Sequence, residues 1–100
     1  MQHVRVASYK ITSGNAAEIA ELAQGGMLPI FRSHDGFLGY SLLEVNGGEV
    51  ISVSVWQSHQ DAEEATALAA EWVAKNLADR VSLEWSGVGD ALFNAGAFAS

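Results

Sequence analysis

The side chains that can do chemistry in this sequence are rings and hydroxyls. It holds two tyrosines, three tryptophans and three histidines, and no cysteine. Thiolate nucleophiles, thiolate metal sites and disulfides are therefore excluded. His3, His34 and His59 are far apart in the sequence and follow no metal-ligand spacing, so no metal centre is expected. Asp61, Glu63 and Glu64 crowd the start of a helical pattern, where negative charge favours the helix dipole; they do not read as an acid–base pair. The paired glycines do not lie between a strand and the start of a helix, so they are not phosphate loops. What remains is a set suited to holding a flat ligand: Tyr9, Phe37, Tyr40 and Trp56 as walls, and Ser41, Ser52 and Ser54 as short hydroxyl-bearing positions. Simple packing competes with this for every ring, Trp56 above all, and no residue is singled out as catalytic.

Composition narrows the partners. The chain has 100 residues, 49% of them hydrophobic, which suits one domain with a real core. Its formal net charge is −7, and its five basic residues, Arg5, Lys10, Arg32, Lys75 and Arg80, are scattered singly. No surface for tracking phosphates follows, and nucleic-acid binding is not expected. The N-terminus alternates and lacks a signal-peptide core, and no apolar run approaches the ~20 residues of a membrane span. A cytoplasmic location is the expectation.

Periodicity supplies the elements. Residues 3–11 alternate, with Val4, Val6 and Ser8 on one face and Arg5, Ala7, Tyr9 and Ile11 on the other. Ser13 or Asn15 can cap the helix that follows, whose apolar positions run from Ala16 to Phe31. Pro29 clashes with the carbonyl of Gly25, so the compliant Gly25-Gly26 pair is expected to kink or briefly break that helix. Phe37–Val45 and Glu49–Trp56 form a hairpin around Asn46-Gly47. Ser58 and Asp61 make a capping box for a second helix reaching about Ala78 and burying Ala62, Ala65, Ala69, Trp72, Val73 and Leu77. Residues 81–86 alternate as a last strand that Gly87 and Gly89 end or bend, and Leu92, Phe93 and Phe98 in the tail need a surface to lie on.

The order βαββαβ implies a ferredoxin-like α+β fold, a four-stranded antiparallel sheet with its helices on one face. The hairpin strands are apolar or small at nearly every position, as strands covered on both faces are. A second copy of the chain is the simplest cover for the other face. With a two-residue turn, Tyr40 stands beside Val53, and Gly39, Ser41, Ser52 and Ser54 form a small-residue patch bounded by Phe37 and Trp56. The alanine-rich helix then suits the bulky face, and the serine patch is left to take a ligand on the side away from the helices. A looser loop of Asn46-Gly47-Gly48 would avoid the mildly unfavourable Glu44–Glu49 pair that the tight turn creates, but the size sorting of the faces favours the tight turn.

The segments GFLGY, EVISVSVWQSHQDAEEA and AAEWVAKNLADRV resemble the antibiotic-biosynthesis monooxygenase superfamily over most of the chain, from Val4 to about Trp85. The resemblance implies a dimeric α/β barrel, a homodimer whose pocket lies between each sheet and its helices or at the barrel mouth. Some such proteins oxygenate aromatic polyketides without a cofactor, and others degrade haem. The haem-degrading branch uses an Asn, a Trp and a His at positions that fall on Ala7, Ala65 and Lys75 here, so haem degradation is not expected. The resemblance thus implies a cofactor-independent oxygenase acting on a small aromatic, or a non-catalytic dimeric binding module. No haem, flavin or metal is expected in either case.

Overall fold

The computed structural model describes residues 2–96, in the order β1 (His3–Ile11), α1 (Ala16–Gly25), α2 (Met27–Arg32), β2 (Phe37–Val45), β3 (Glu49–Trp56), α3 (His59–Asn76) and β4 (Val81–Asp90). The strands form one antiparallel sheet in the order β2-β3-β1-β4, the ferredoxin-like arrangement. Asn15 caps α1 through Glu18 N–H, and Ser58 caps α3 through Asp61 N–H, both at 3.0 Å. No helix among the described residues is long and apolar enough to cross a membrane.

The expected break in the first helix falls at Gly26, a single residue between α1 and α2. Pro29 then sits in the first turn of α2, where its missing N–H has no helical partner to lose. Trp72 of α3 packs directly onto the gap: a Cβ on Gly26 would lie 2.6 Å from its ring. The break is thus a docking notch for one indole.

The hairpin differs from the tight-turn expectation. Val45 pairs with Glu49, so the loop is Asn46-Gly47-Gly48, with positive φ at Asn46 and Gly47. This register sets Glu44 against Val50 and relieves the like-charge pair. A one-residue shift exchanges the two faces of a strand. Tyr40 therefore pairs with Ser54 and Leu42 with Ser52, while Ser41 pairs with Val53. An irregularity at Leu38 restores the expected pairing of Phe37 with Trp56.

Burial along β3 alternates strictly, with Val50, Ser52, Ser54 and Trp56 buried and the residues between them only partly so. The serine face, not the Val53 and Val55 face, meets the helices. Large strand residues there would crowd α3; small ones let the buried Ala62, Ala65 and Ala69 approach. On β1 the buried residues that share this face are Arg5, Ala7 and Tyr9.

The opposite face stays uncovered in the single chain. Val4, Val6, Ile51, Val53 and Val55 are partly exposed there, and Trp85 and Leu43 are about half exposed. The last strand passes through Gly87 and Gly89 to Asp90, because β1 continues to pair with it as far as His3. Leu92 and Phe93 find no cover among the described residues and are 95% and 85% exposed. Phe98 lies outside the described residues.

Candidate functional site

Between the helices and the sheet lies a cavity of about 30 Å³. Its walls come from β1 (Arg5, Tyr9), β2 (Tyr40, Leu42), β3 (Val50, Ser52), α1 and α2 (Ala23, Phe31) and α3 (Ala69, Trp72). That volume holds about two waters, not an aromatic ring. Outside it, a groove of about 210 Å³ runs between α1 and the edge strand, lined by Ala20, Gln24 and Leu28. Tyr40 and Leu42 line both spaces, so these two half-buried side chains, with Ala23, form the partition.

The cavity is lined mostly by hydrocarbon, and its polar lining residues are Arg5, Tyr9, Tyr40 and Ser52. Arg5 is 2% exposed and carries the one buried side-chain nitrogen or oxygen that finds no partner among the described residues, its Nε. Its Nη2 donates to Tyr9 Oη at 3.4 Å, near the limit for a hydrogen bond. No carboxylate pairs with it among the described residues. Burial pushes the Tyr40 phenol above the usual tyrosine value; the bond with Ser52 and the charge of Arg5 oppose the rise, and nearby Tyr9 adds to it. Tyr40 is therefore a protonated donor at neutral pH. The Phe31 ring meets Tyr40 edge-on, with centroids 5.0 Å apart.

The seven expected lining residues are divided by the fold. Tyr9, Tyr40 and Ser52 line the cavity. Ser54 and Trp56 lie beside it in the core and satisfy each other, the indole Nε1 donating to Ser54 Oγ at 2.8 Å. Phe37 packs against Trp56 with centroids 5.6 Å apart. Ser41 points from the opposite face and is exposed, so the expected patch of Gly39, Ser41, Ser52 and Ser54 does not exist as one surface. The residue that sequence reasoning passed over is Arg5. Its signal was a lone basic side chain in phase with Ala7, Tyr9 and Ile11.

The histidines are occupied elsewhere. His34 accepts from Gly36 N–H through Nδ1, which leaves Nε2 to donate to Glu64 at 2.7 Å. His3 Nδ1 lies 2.6 Å and His59 Nδ1 3.5 Å from Asp90 Oδ1. Folding thus gathers two sets with cation-ligand chemistry, His3–His59–Asp90 and His34–Asp61–Glu64, which sequence spacing concealed. Both sets are already closed by hydrogen bonds among their own members. None of these groups lines the cavity. At the positions where the haem-degrading branch carries its functional residues, Ala7 and Ala65 are buried and Lys75 is exposed on α3.

Known proteins share this architecture. SnoaB, a cofactor-independent oxygenase from Streptomyces nogalater, superposes with a TM-score of 0.73 at 20% identity, over 93% of this chain and 95% of its own. MupZ from Pseudomonas fluorescens gives 0.69 at 15% identity, over 87% and 69%. Rv0793 from Mycobacterium tuberculosis gives 0.66 at 20% identity, over 96% and 100%. At such identities the likeness is one of fold. No curated protein matches the chain. The family model for antibiotic biosynthesis monooxygenase matches residues 2–72, from the first strand into α3, and the chain belongs to that family.

Proposed function

We propose that the chain binds a small aromatic compound in the cavity behind Tyr40 and Leu42 and acts on it as a cofactor-independent oxygenase. The observation that carries this reading is the shared partition. Swinging Tyr40 and Leu42 outward joins a cavity of about 30 Å³ to a groove of about 210 Å³, which gives a ring room to enter. Phe31 and Trp72 then supply aromatic walls, and Arg5, Tyr9, Tyr40 and Ser52 supply the polar end. Family membership and the fold shared with SnoaB support the reaction class. The ligand-lining set in this reading is Tyr9, Tyr40 and Ser52 directly, with Ser54, Trp56 and Phe37 holding them from behind.

One observation favours a second reading, a non-catalytic binding module. The cavity's ionisable residues are Arg5, Tyr9 and Tyr40, and it has no histidine or carboxylate to accept a proton. An oxygenase built this way needs a ligand that surrenders its proton before it enters.

The chain also pairs with a copy of itself in this proposal, sheet against sheet. The apolar face of Val4, Val6, Ile51, Val53, Val55 and Trp85 supports that arrangement. The test of function is calorimetric titration with 1-naphthol and related phenols, followed by oxygen uptake from the bound complex. Saturable binding with uptake supports the oxygenase, and binding without uptake, by neutral phenols and by one ionised at the working pH alike, selects the second reading. No binding by any of the phenols contradicts both.

A further inference from the structure

The buried guanidinium of Arg5 is the least explained group in the molecule. A charge taken out of water costs several kcal/mol unless it is paired and fully hydrogen-bonded. Arg5 is 2% exposed, its Nε–H has no acceptor among the described residues, and its Nη2 makes a 3.4 Å contact with Tyr9. The rest of the cavity offers hydroxyls and hydrocarbon. In a chain of net charge −7 with twelve acidic residues, carboxylate partners are plentiful, yet none has been placed here.

We propose that Arg5 is the binding site for a ligand's carboxylate. The unsatisfied Nε–H and the weakly engaged Nη2 form one edge of the guanidinium. That edge presents two parallel N–H groups, the geometry that a carboxylate matches with both its oxygens. A phenolate or an alcohol offers one oxygen and leaves one of the two donors unmet. Tyr40, which burial keeps protonated, stands on the same cavity as a further donor. A largely apolar cavity whose few polar groups include this buried guanidinium and no base takes a ligand that arrives as an anion. The inference rests on the aromatic-ligand reading for the body of the ligand, but the carboxylate site stands on Arg5 alone. The ligand class is a small aromatic carboxylic acid, bound ionised, with its ring toward Phe31 and Trp72.

The test separates the two parts. The resonance of the Arg5 Nε–H is followed by ¹H–¹⁵N NMR during titration with sodium formate, sodium benzoate and neutral benzamide, each against sodium chloride at equal ionic strength. Formate is small enough for the cavity as it stands, about 30 Å³, and tests Arg5 without requiring Tyr40 and Leu42 to move. The expected result is a saturable shift with formate and benzoate that chloride does not produce, and benzamide at least about tenfold weaker than benzoate, since one buried donor is then unmet. Formate binding without benzoate binding leaves the Arg5 site standing and removes the aromatic body. Equal binding of benzoate and benzamide, or a resonance that no carboxylate moves, overturns the proposal while the aromatic reading can stand.

A second variant guards against a purely structural arginine. Arg5→Met keeps the length and removes the charge. It is expected to melt at or above the wild-type temperature and to lose the preference for benzoate, because sites kept for binding are often held at a cost to stability. A folded Arg5→Met protein that melts well below wild type, or that binds benzoate unchanged, overturns the proposal.

Discussion

Trp56 donates its indole N–H to the hydroxyl of Ser54 at 2.8 Å, two positions back on the same strand, and both side chains are 0% exposed. Residues two apart share a strand face, so one short hydroxyl satisfies the only polar atom of the largest residue in the core. The serine is small because α3 is close, and polar because the indole needs it. That relationship removes Ser54 from direct ligand contact and makes it a support for the wall of the site.

Replacing Ser54 tests this. Ser54→Ala leaves a buried indole N–H without a partner and is expected to cost about 1–3 kcal/mol in urea unfolding. Ser54→Leu adds volume where none is free and is expected to cost at least as much, about 1–3 kcal/mol or more. A neutral Ser54→Leu would show that the position faces empty space.

Gly26 is expected to be intolerant of any side chain. Its Cβ would fall 2.6 Å from Trp72 Cζ2, and the indole is held between α1, α2 and the sheet. Gly26→Ala should destabilise by about 1–3 kcal/mol through overpacking, whereas Gly25→Ala, with open space around its Cβ, should be neutral or stabilising. Equal melting curves for the two variants would contradict the docking role of the notch.

The His3–His59–Asp90 cluster predicts a pH dependence. Hydrogen bonding to Asp90 is the main cause that raises the His59 pKa above its ordinary 6.5, and hydrogen bonding to His3 is the main cause that lowers Asp90 below 3.8. A raised histidine stabilises the fold fully below its unfolded value and loses that contribution as pH rises through its folded value; a lowered aspartate stabilises above its unfolded value and loses this as pH falls through its folded one. The cluster therefore tethers the end of β4 between those two folded values and releases it above and below. NMR titration should place the His59 midpoint above 6.5, and Asp90→Asn should bring it down. A midpoint unmoved by Asp90→Asn would show that the contact does not form in solution.

Leu42 is expected to control entry. Leu42→Ala thins the partition between cavity and groove and should speed association of 1-naphthol while costing about 2–3 kcal/mol of stability, toward the lower end for buried leucines because Leu42 is half-buried. Stopped-flow fluorescence reads the rate. An unchanged rate would place the route elsewhere.

Pairing across the open sheet face is tested by Val53→Glu, which sets a charge at the middle of that face, opposite Ser41 on β2. The wild type should scatter light as a dimer at micromolar concentration and the variant as a monomer. A monomeric wild type would contradict the arrangement.

The topology was legible in the sequence because strand and helix periods, the two caps and the Asn46-Gly47 turn all agreed. The site was less so. One residue of loop length decides which face of β2 and β3 meets the helices, and Asn46-Gly47-Gly48 permits two lengths. The clash of Glu44 with Glu49 was the available clue to the longer one. Arg5 escaped notice because its meaning depends on burial without a partner, which no local pattern records. The histidine clusters escaped for the same reason: His3 and Asp90 lie 87 positions apart and meet only through the pairing of β1 with β4.

The most direct measurement is a crystal structure of the protein grown with 1-naphthol. The ring is expected between Phe31, Tyr40 and Trp72, on the helix side of the sheet, with Tyr40 and Leu42 swung toward the groove. Density for the ring on the open sheet face, against Ser41 and Val53, with the cavity unchanged at about 30 Å³, would overturn this placement.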